Sequence, residues 1–183
     1  MHNCYVFIGP SGSGKTSLAA VLFEPHQKII TYTTRQPRKG ERDQKDYYFI
    51  SRSQFTQMIR NHQLLEWTTY AGYYYGSSKI EIARKLKKEN CYTILTAAGF
   101  WTLYKTFGGN IQPVFVTITK DKLKERLLTR GDALDQIQKR ITLFEQDMKE
   151  LTFLKKLPHL IILTNNDNLE ETKSQFIRSI SRD

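Results

Sequence analysis

The sequence predicts a single α/β domain with a five-stranded parallel sheet at its core, and three observations carry that prediction. Near the N-terminus, the apolar run Tyr5 to Ile8 leads directly into Gly9-Pro10-Ser11-Gly12-Ser13-Gly14-Lys15-Thr16. Gly, four residues, then Gly-Lys-Thr between a strand and a helix is the spacing of a phosphate-binding loop. Four more short apolar runs follow, at Lys28 to Thr31, Tyr92 to Leu95, Val114 to Ile118 and Leu160 to Leu163, and each precedes a helical pattern. A parallel sheet covered on both faces produces that alternation. Finally, 183 residues with 39% hydrophobic and 25% charged side chains suit one domain with a substantial core.

Taken in order, Ser17 to Phe23 reads as the helix behind the phosphate loop. Residues 32–80 have a different texture and read as an insertion between core elements, able to move as a unit. Within it, Ser51-x-x-Gln54 has the form of a capping box opening a helix with Phe55, Met58 and Ile59 on one face. Leu64 to Tyr70 and Tyr73 to Tyr75 read as a strand pair turning at Ala71-Gly72. The core resumes at 81–183. There Leu123 and Leu127 stripe one short helix, and beyond Gly131 apolar residues recur at 134, 137, 141, 144, 148 and 151. Such a stripe serves core packing or a dimer seam, which leaves a monomer and a homodimer both open.

Composition narrows the class further. No apolar run approaches the roughly 20 residues of a membrane span. The first strand starts almost at the N-terminus, so a cytoplasmic protein without a leader segment is expected. Cys4 and Cys91 lack metal-ligand spacing and read as small core residues in a reducing compartment. The net charge of +10 suits either nucleic acid or a cleft for small polyanions. No nucleic-acid recognition motif accompanies it, so small-molecule nucleotides are the expected partners.

The phosphate loop has a direct chemical reading. Its glycines let the backbone turn N–H groups onto phosphate oxygens, with a helix N-terminus behind them. Gly9, Pro10, Ser11, Gly12, Ser13, Gly14, Lys15 and Thr16 would bind the nucleoside triphosphate. Lys15 supplies charge to the outer phosphates, and the Thr16 hydroxyl can ligate Mg²⁺. Arg126 and Arg130 lie four apart on one helical face, and Arg140 flanks the next helix. Together they suit a lid over approximately 126–142 that closes on phosphates. Upstream, Arg35 and Arg38 lie three apart on a loop stiffened by Pro37 and can fork onto one phosphate, with a tyrosine such as Tyr47 adding a neutral donor.

TYTTRQPRKGERDQKDYYF followed by LLEWTTYAGYYYGSS, both downstream of GPSGSGKT, resembles the guanylate kinase family over nearly the whole chain. The resemblance implies a P-loop nucleoside monophosphate kinase fold, with an acceptor-binding insertion and a lid. The implied reaction is ATP plus GMP (or dGMP) to ADP plus GDP, with Mg²⁺. It implies that Arg35, Arg38, Tyr47 and Tyr75 hold the GMP phosphate. Glu66, Thr31 and Ser77 would meet the guanine, Glu66 accepting from N1–H and the 2-amino group. Lys15, Arg126, Arg130 and Arg140 would be catalytic, and Asn166 would lie near the adenine.

One segment departs from the pattern. Relatives carry two aspartates, one residue apart, where this chain has Thr96 and Ala98. The resemblance gives those carboxylates a part in holding guanine and organising Mg²⁺, so a slower or less strict member is expected, with Glu41, Asp43 or Asp46 as possible substitutes. Three rivals stand beside this reading: another small-molecule kinase on the same fold, such as one acting on ribose phosphates; a guanylate-kinase-like interaction module; and a nucleic-acid-binding protein.

Overall fold

The computed structural model describes residues 2–38, 40–70, 72–129, 131 and 134–181. In chain order its elements are β1 (Cys4–Ile8), α1 (Lys15–Leu22), β2 (Tyr32–Thr33), β3 (Tyr48–Phe49), α2 (Arg52–Arg60), β4 (Leu64–Tyr70), β5 (Tyr73–Ser78), α3 (Lys79–Lys88), β6 (Cys91–Ile94), α4 (Ala97–Phe107), β7 (Ile111–Thr117), α5 (Lys120–Thr129), α6 (Leu134–Leu154), β8 (Ile161–Thr164) and α7 (Leu169–Ile180). They form two four-stranded sheets, ordered β6-β1-β7-β8 and β3-β2-β5-β4. The chain divides into two compact units, one of Met1–Tyr5, Phe23–Thr93 and Ala98–Ile111, the other of Val6–Leu22, Ile94–Ala97 and Gln112–Asp183.

The strands of the first sheet are apolar on both faces. Cys4, Val6 and Phe7 of β1 and Val114, Phe115 and Val116 of β7 are fully buried. β7 pairs in parallel with β8, from Val114 opposite Ile161 to Thr117 opposite Thr164. The run at 28–31 contributes an isolated parallel bridge, Lys28 to Tyr92, and the Ile29 N–H donates to the Tyr92 carbonyl at 2.8 Å. It goes no further because the Thr31 carbonyl already accepts from the Tyr48 N–H at 2.9 Å. The fifth strand position is therefore filled by one bridge, where the chain crosses from one sheet to the other.

Within the first unit, β4 and β5 form an antiparallel hairpin that sets Glu66 opposite Ser77 and Trp67 opposite Gly76. β2 adds to β5 antiparallel and to β3 in parallel. The capping box forms as expected, with the Gln54 N–H on the Ser51 hydroxyl at 3.2 Å and the Ser51 N–H on the Gln54 amide oxygen at 2.8 Å. It starts α2 so that Phe55 is fully buried, its ring 5.5 Å or less from a neighbour: the Tyr74 centroid lies 5.3 Å away. A methyl group on Gly76 would stand 3.0 Å from the Phe55 ring, from Leu64 and from the Glu66 carbonyl. Glycine is needed there for close packing, and that packing fixes the strand carrying Glu66.

In the second unit, Ile118, Leu123, Leu127 and Ile137 form a buried cluster extended by Ile141 and Phe144. Most of the helical stripe is thus core. Leu134 is the exception, 77% exposed. Met148 packs on β7, where the Thr117 hydroxyl approaches its sulfur at 3.6 Å. The rings of Phe7 and Phe176 stack at 6.4 Å, tying α7 to β1. Cys4 and Cys91 are buried free thiols, as expected. Among the described residues, no helix is long and apolar enough to cross a membrane.

Phe55 is the keystone of the Glu66 hairpin. Phe55→Ala is expected to destabilise the protein by about 3–5 kcal/mol, read as a lower denaturation midpoint at unchanged m-value.

Candidate active site

The donor half belongs to the second unit. Gly12 and Gly14 have φ of 92° and 87°, the left-handed region that favours glycine. A methyl on Gly14 would lie 2.3 Å from the Asn165 amide nitrogen, and one on Gly9 2.4 Å from the Val116 carbonyl oxygen. The loop is held from β8, since the Asn165 Nδ2 donates to the Ser13 carbonyl at 2.8 Å. The Ser13 hydroxyl is buried and has no hydrogen-bond partner. A buried polar group of this kind needs an acceptor or donor from a ligand or water.

Lys15 ends inside this loop. Its ammonium donates to the Gly9 and Pro10 carbonyls at 2.6 and 2.8 Å. Burial lowers its pKa to about 8, against an opposing pull from the Asp147 carboxylate. Asp147 lies on α6 and accepts from the Ser11 N–H; burial raises its own pKa, and Lys15 and that hydrogen bond oppose the rise. Nothing local in the sequence marks Asp147, although it falls two turns beyond Arg140 on the same helix face. An Nη of Arg140 lies 3.5 Å from the Ser11 hydroxyl. Arg126 donates to the Asn166 carbonyl at 2.8 Å, and its other Nη lies 3.5 Å from where a Gly14 methyl would stand. Lys15, Arg126 and Arg140 therefore gather at the loop. Arg130 lies outside the described residues. The Asn166 side chain accepts from the Thr119 N–H at 2.9 Å and so caps the start of α5.

Among the described residues no group of three or more His, Cys, Asp or Glu side chains could hold a metal ion. Thr16 is exposed on the first turn of α1, directly after the loop lysine. Such a site suits a hard cation shared with phosphate oxygens and water rather than a protein cage. The carboxylates expected as substitutes are committed elsewhere. Glu41 is held by Arg35, Asp43 accepts from the Phe49 N–H at 2.9 Å, and Asp46 accepts from the Arg42 N–H at 2.8 Å. Thr96 and Ala98 are both exposed and supply no charge.

The acceptor half belongs to the first unit. Arg35 is only 9% exposed. Its Nη1 and Nη2 donate to the two Glu41 oxygens at 2.8 and 2.9 Å, and Nη1 also donates to the Gln36 carbonyl at 2.7 Å. The guanidinium lies 5.5 Å from the Tyr47 ring and 5.7 Å from the Phe49 ring. Tyr75 hydrogen-bonds Arg35 and meets Tyr47 edge-on at 6.0 Å. Burial raises the Tyr47 pKa, so its hydroxyl stays a neutral donor. Arg38 is exposed and joins through its backbone N–H, 2.7 Å from Glu41. Arg35, Arg38, Tyr47 and Tyr75 are thus brought together, the two arginines on the Glu41 carboxylate and the two tyrosines on the Arg35 guanidinium.

Glu66 is 7% exposed and Ser77 is fully buried, and the Ser77 hydroxyl donates to Glu66 at 2.6 Å. Burial raises the Glu66 pKa, while hydrogen bonds from the Ser77 side chain and backbone oppose the rise. Thr31 is also buried, on the segment entering β2. A buried carboxylate with a fixed hydroxyl beside it has the capacity to accept from two adjacent donors.

A glycine-rich phosphate loop at the end of a parallel strand, with converging lysine and arginines, defines a P-loop nucleotide-binding protein. The family model for guanylate kinase matches residues 1–182. A guanylate kinase of Helicobacter pylori (strain ATCC 700392 / 26695) is 36% identical, with 100% of this chain and 89% of that protein aligned. One from Trichodesmium erythraeum is 30% identical over 91% of this chain and 89% of that protein. The crystal structure of guanylate kinase from Anaplasma phagocytophilum superposes with a TM-score of 0.70 at 21% identity, covering 99% of this chain and 85% of that one. The chain belongs to the guanylate kinase family.

The Lys15 environment gives a pH test with a definite sign. A triphosphate in the loop favours the ammonium, whereas the free protein loses that proton near pH 8. Triphosphate affinity is therefore expected to fall as pH rises above about 8, approaching about tenfold per pH unit. Titration calorimetry in buffers of different ionisation enthalpy should show proton uptake on binding in that range. Gly14→Ala should abolish binding at every pH, through the clash with Asn165.

Proposed function

We propose that the protein is an ATP-dependent guanylate kinase that moves the γ-phosphoryl group of ATP to GMP or dGMP. The observation that carries the acceptor assignment is the buried Glu66 carboxylate with Ser77 beside it. Guanine offers N1–H and a 2-amino group side by side on one edge, and a carboxylate accepts both. Adenine lacks that pair and would leave a buried charge poorly matched, at a cost of about 1–3 kcal/mol.

The chemistry follows from the two halves. An anionic oxygen of the GMP phosphate attacks the γ-phosphorus; the new P–O bond makes GDP as the bond to the β-phosphate oxygen breaks and ADP leaves. The attacking oxygen is already ionised, so no protein base is required. Lys15, Arg126, Arg140 and the sequence-assigned Arg130 offset charge on the transferring group. Each such contact is worth about 4 kcal/mol at 4 Å and an effective dielectric of about 20, before desolvation. Mg²⁺, held by Thr16, phosphate oxygens and water, would neutralise further charge on the triphosphate. Arg35, Arg38, Tyr47 and Tyr75 hold the acceptor phosphate, and Thr31, Glu66 and Ser77 hold the base. Asn166 would border the adenine. With Thr96 and Ala98 in place of carboxylates, acceptor choice is looser than in members that carry the acidic pair.

An ADP-release assay with GMP, dGMP, IMP and AMP tests this. Activity with GMP is expected, with IMP used better than AMP. Lys15→Ala should lower kcat by about a thousandfold. Glu66→Gln should raise the KM for GMP by about tenfold to a hundredfold. ADP release that no nucleoside monophosphate stimulates would overturn the proposal.

A further inference from the structure

We infer that Glu41 is a positioning residue of the acceptor-phosphate clamp: it grips one edge of the Arg35 guanidinium and presents the other edge to the phosphate. This inference rests on the assignment of Arg35 to the acceptor phosphate made above.

A guanidinium carries five N–H donors in a fixed plane. Three of those of Arg35 are spoken for by oxygens of the same loop. Nη1 donates to the Gln36 carbonyl at 2.7 Å and to Glu41 at 2.8 Å, and Nη2 donates to Glu41 at 2.9 Å. The bond to Glu41 thus uses the end of the fork, between Nη1 and Nη2. The flank of the fork carries Nε–H and the second Nη2–H; Tyr75 also hydrogen-bonds the guanidinium, so Nε–H is the donor left for a phosphate oxygen. Nε is buried and has no hydrogen-bond partner. An unmade hydrogen bond at a buried charged donor is costly, and a phosphate oxygen removes that cost. The rings of Tyr47 and Phe49 pack against the guanidinium and keep it from turning.

Glu41 also sets the second arginine. Its carboxylate accepts from the Arg38 N–H at 2.7 Å, and its own N–H donates to the Arg38 carbonyl at 3.0 Å. One side chain therefore closes the turn that carries Arg38 and aligns the plane of Arg35.

Charge and geometry make opposite predictions here. Glu41 cancels one positive charge beside the site, so on charge alone its removal would strengthen binding of a phosphate dianion. If it acts by alignment, removal weakens binding. Steady-state kinetics on the full chain decide between them, with each substrate varied in turn for wild type, Glu41→Gln, Glu41→Asp and Arg35→Ala. We expect Glu41→Gln to raise the KM for GMP by about tenfold or more, with the KM for ATP unchanged. Glu41→Asp, which keeps the carboxylate on a shorter arm, should fall between wild type and Glu41→Gln. A KM for GMP that is unchanged or lower in Glu41→Gln, or KM values for both substrates rising together, overturns the inference. If Glu41→Gln fails to fold, as judged by its thermal unfolding, Glu41→Asp carries the test, and an unaltered KM for GMP overturns it. A wild type inactive with GMP, or an Arg35→Ala variant with a normal KM for GMP, would instead sink the acceptor assignment itself.

Discussion

The loop between β1 and α1 works only because its backbone can come closer to its surroundings than a side chain allows. Gly9 approaches the Val116 carbonyl and Gly14 approaches the Asn165 amide, so neither position has room for a methyl group. That closeness lets a strand of the parallel sheet brace the loop from behind, while Asn165 fixes the Ser13 carbonyl from β8. The loop is then rigid enough to hold the Lys15 ammonium in a setting that strips its water. Desolvation lowers the pKa of the lysine and makes it hungry for an anion. The same shielding that is unfavourable in the free protein strengthens each electrostatic contact with a phosphate.

The first unit meets a related demand in another way. There the buried charges are balanced by partners: Arg35 by Glu41, and Glu66 by the Ser77 hydroxyl and backbone. Each pairing leaves part of the group's hydrogen-bonding capacity for a ligand. The supporting packing is apolar, with Phe55 wedged below the hairpin and the Tyr47, Phe49 and Tyr75 rings around the arginine. The Tyr47 and Phe49 ring faces suit this task because they fix the plane of a guanidinium without competing for its donors. The Arg35 guanidinium and the Glu66 carboxylate are therefore held in place by their own partners, which is how they would contribute positioning to the proposed phosphoryl transfer.

Much of this was legible in the sequence because the signals are local. The phosphate loop, the Ser51-x-x-Gln54 box and the hairpin at Leu64 to Ser78 each depend on residues within a few positions of one another. Where the sequence misled, the deciding contact is distant. The run at 28–31 has the composition of a strand, but a hydrogen bond from Tyr48 draws the chain away after one bridge. Leu134 keeps the period of the α6 stripe and yet stands in solvent, while Ile137, one turn on, is the first to reach the core. The sequence shows Glu41 close to two arginines and suggests a metal ligand; which edge of Arg35 it takes is visible only in three dimensions. Asp147 and Asn165 gain their roles from α6 and β8 packing beside the loop, and no pattern in the chain announces them.

The central claim is that this chain transfers a phosphoryl group from a triphosphate to GMP. Its most direct test follows the atom itself, by incubating the protein with ATP radiolabelled at the γ-phosphorus, GMP and Mg²⁺ and separating the products. The label is expected to appear in GDP as ADP accumulates. Label recovered as inorganic phosphate, or remaining in ATP while GMP is untouched, would contradict it.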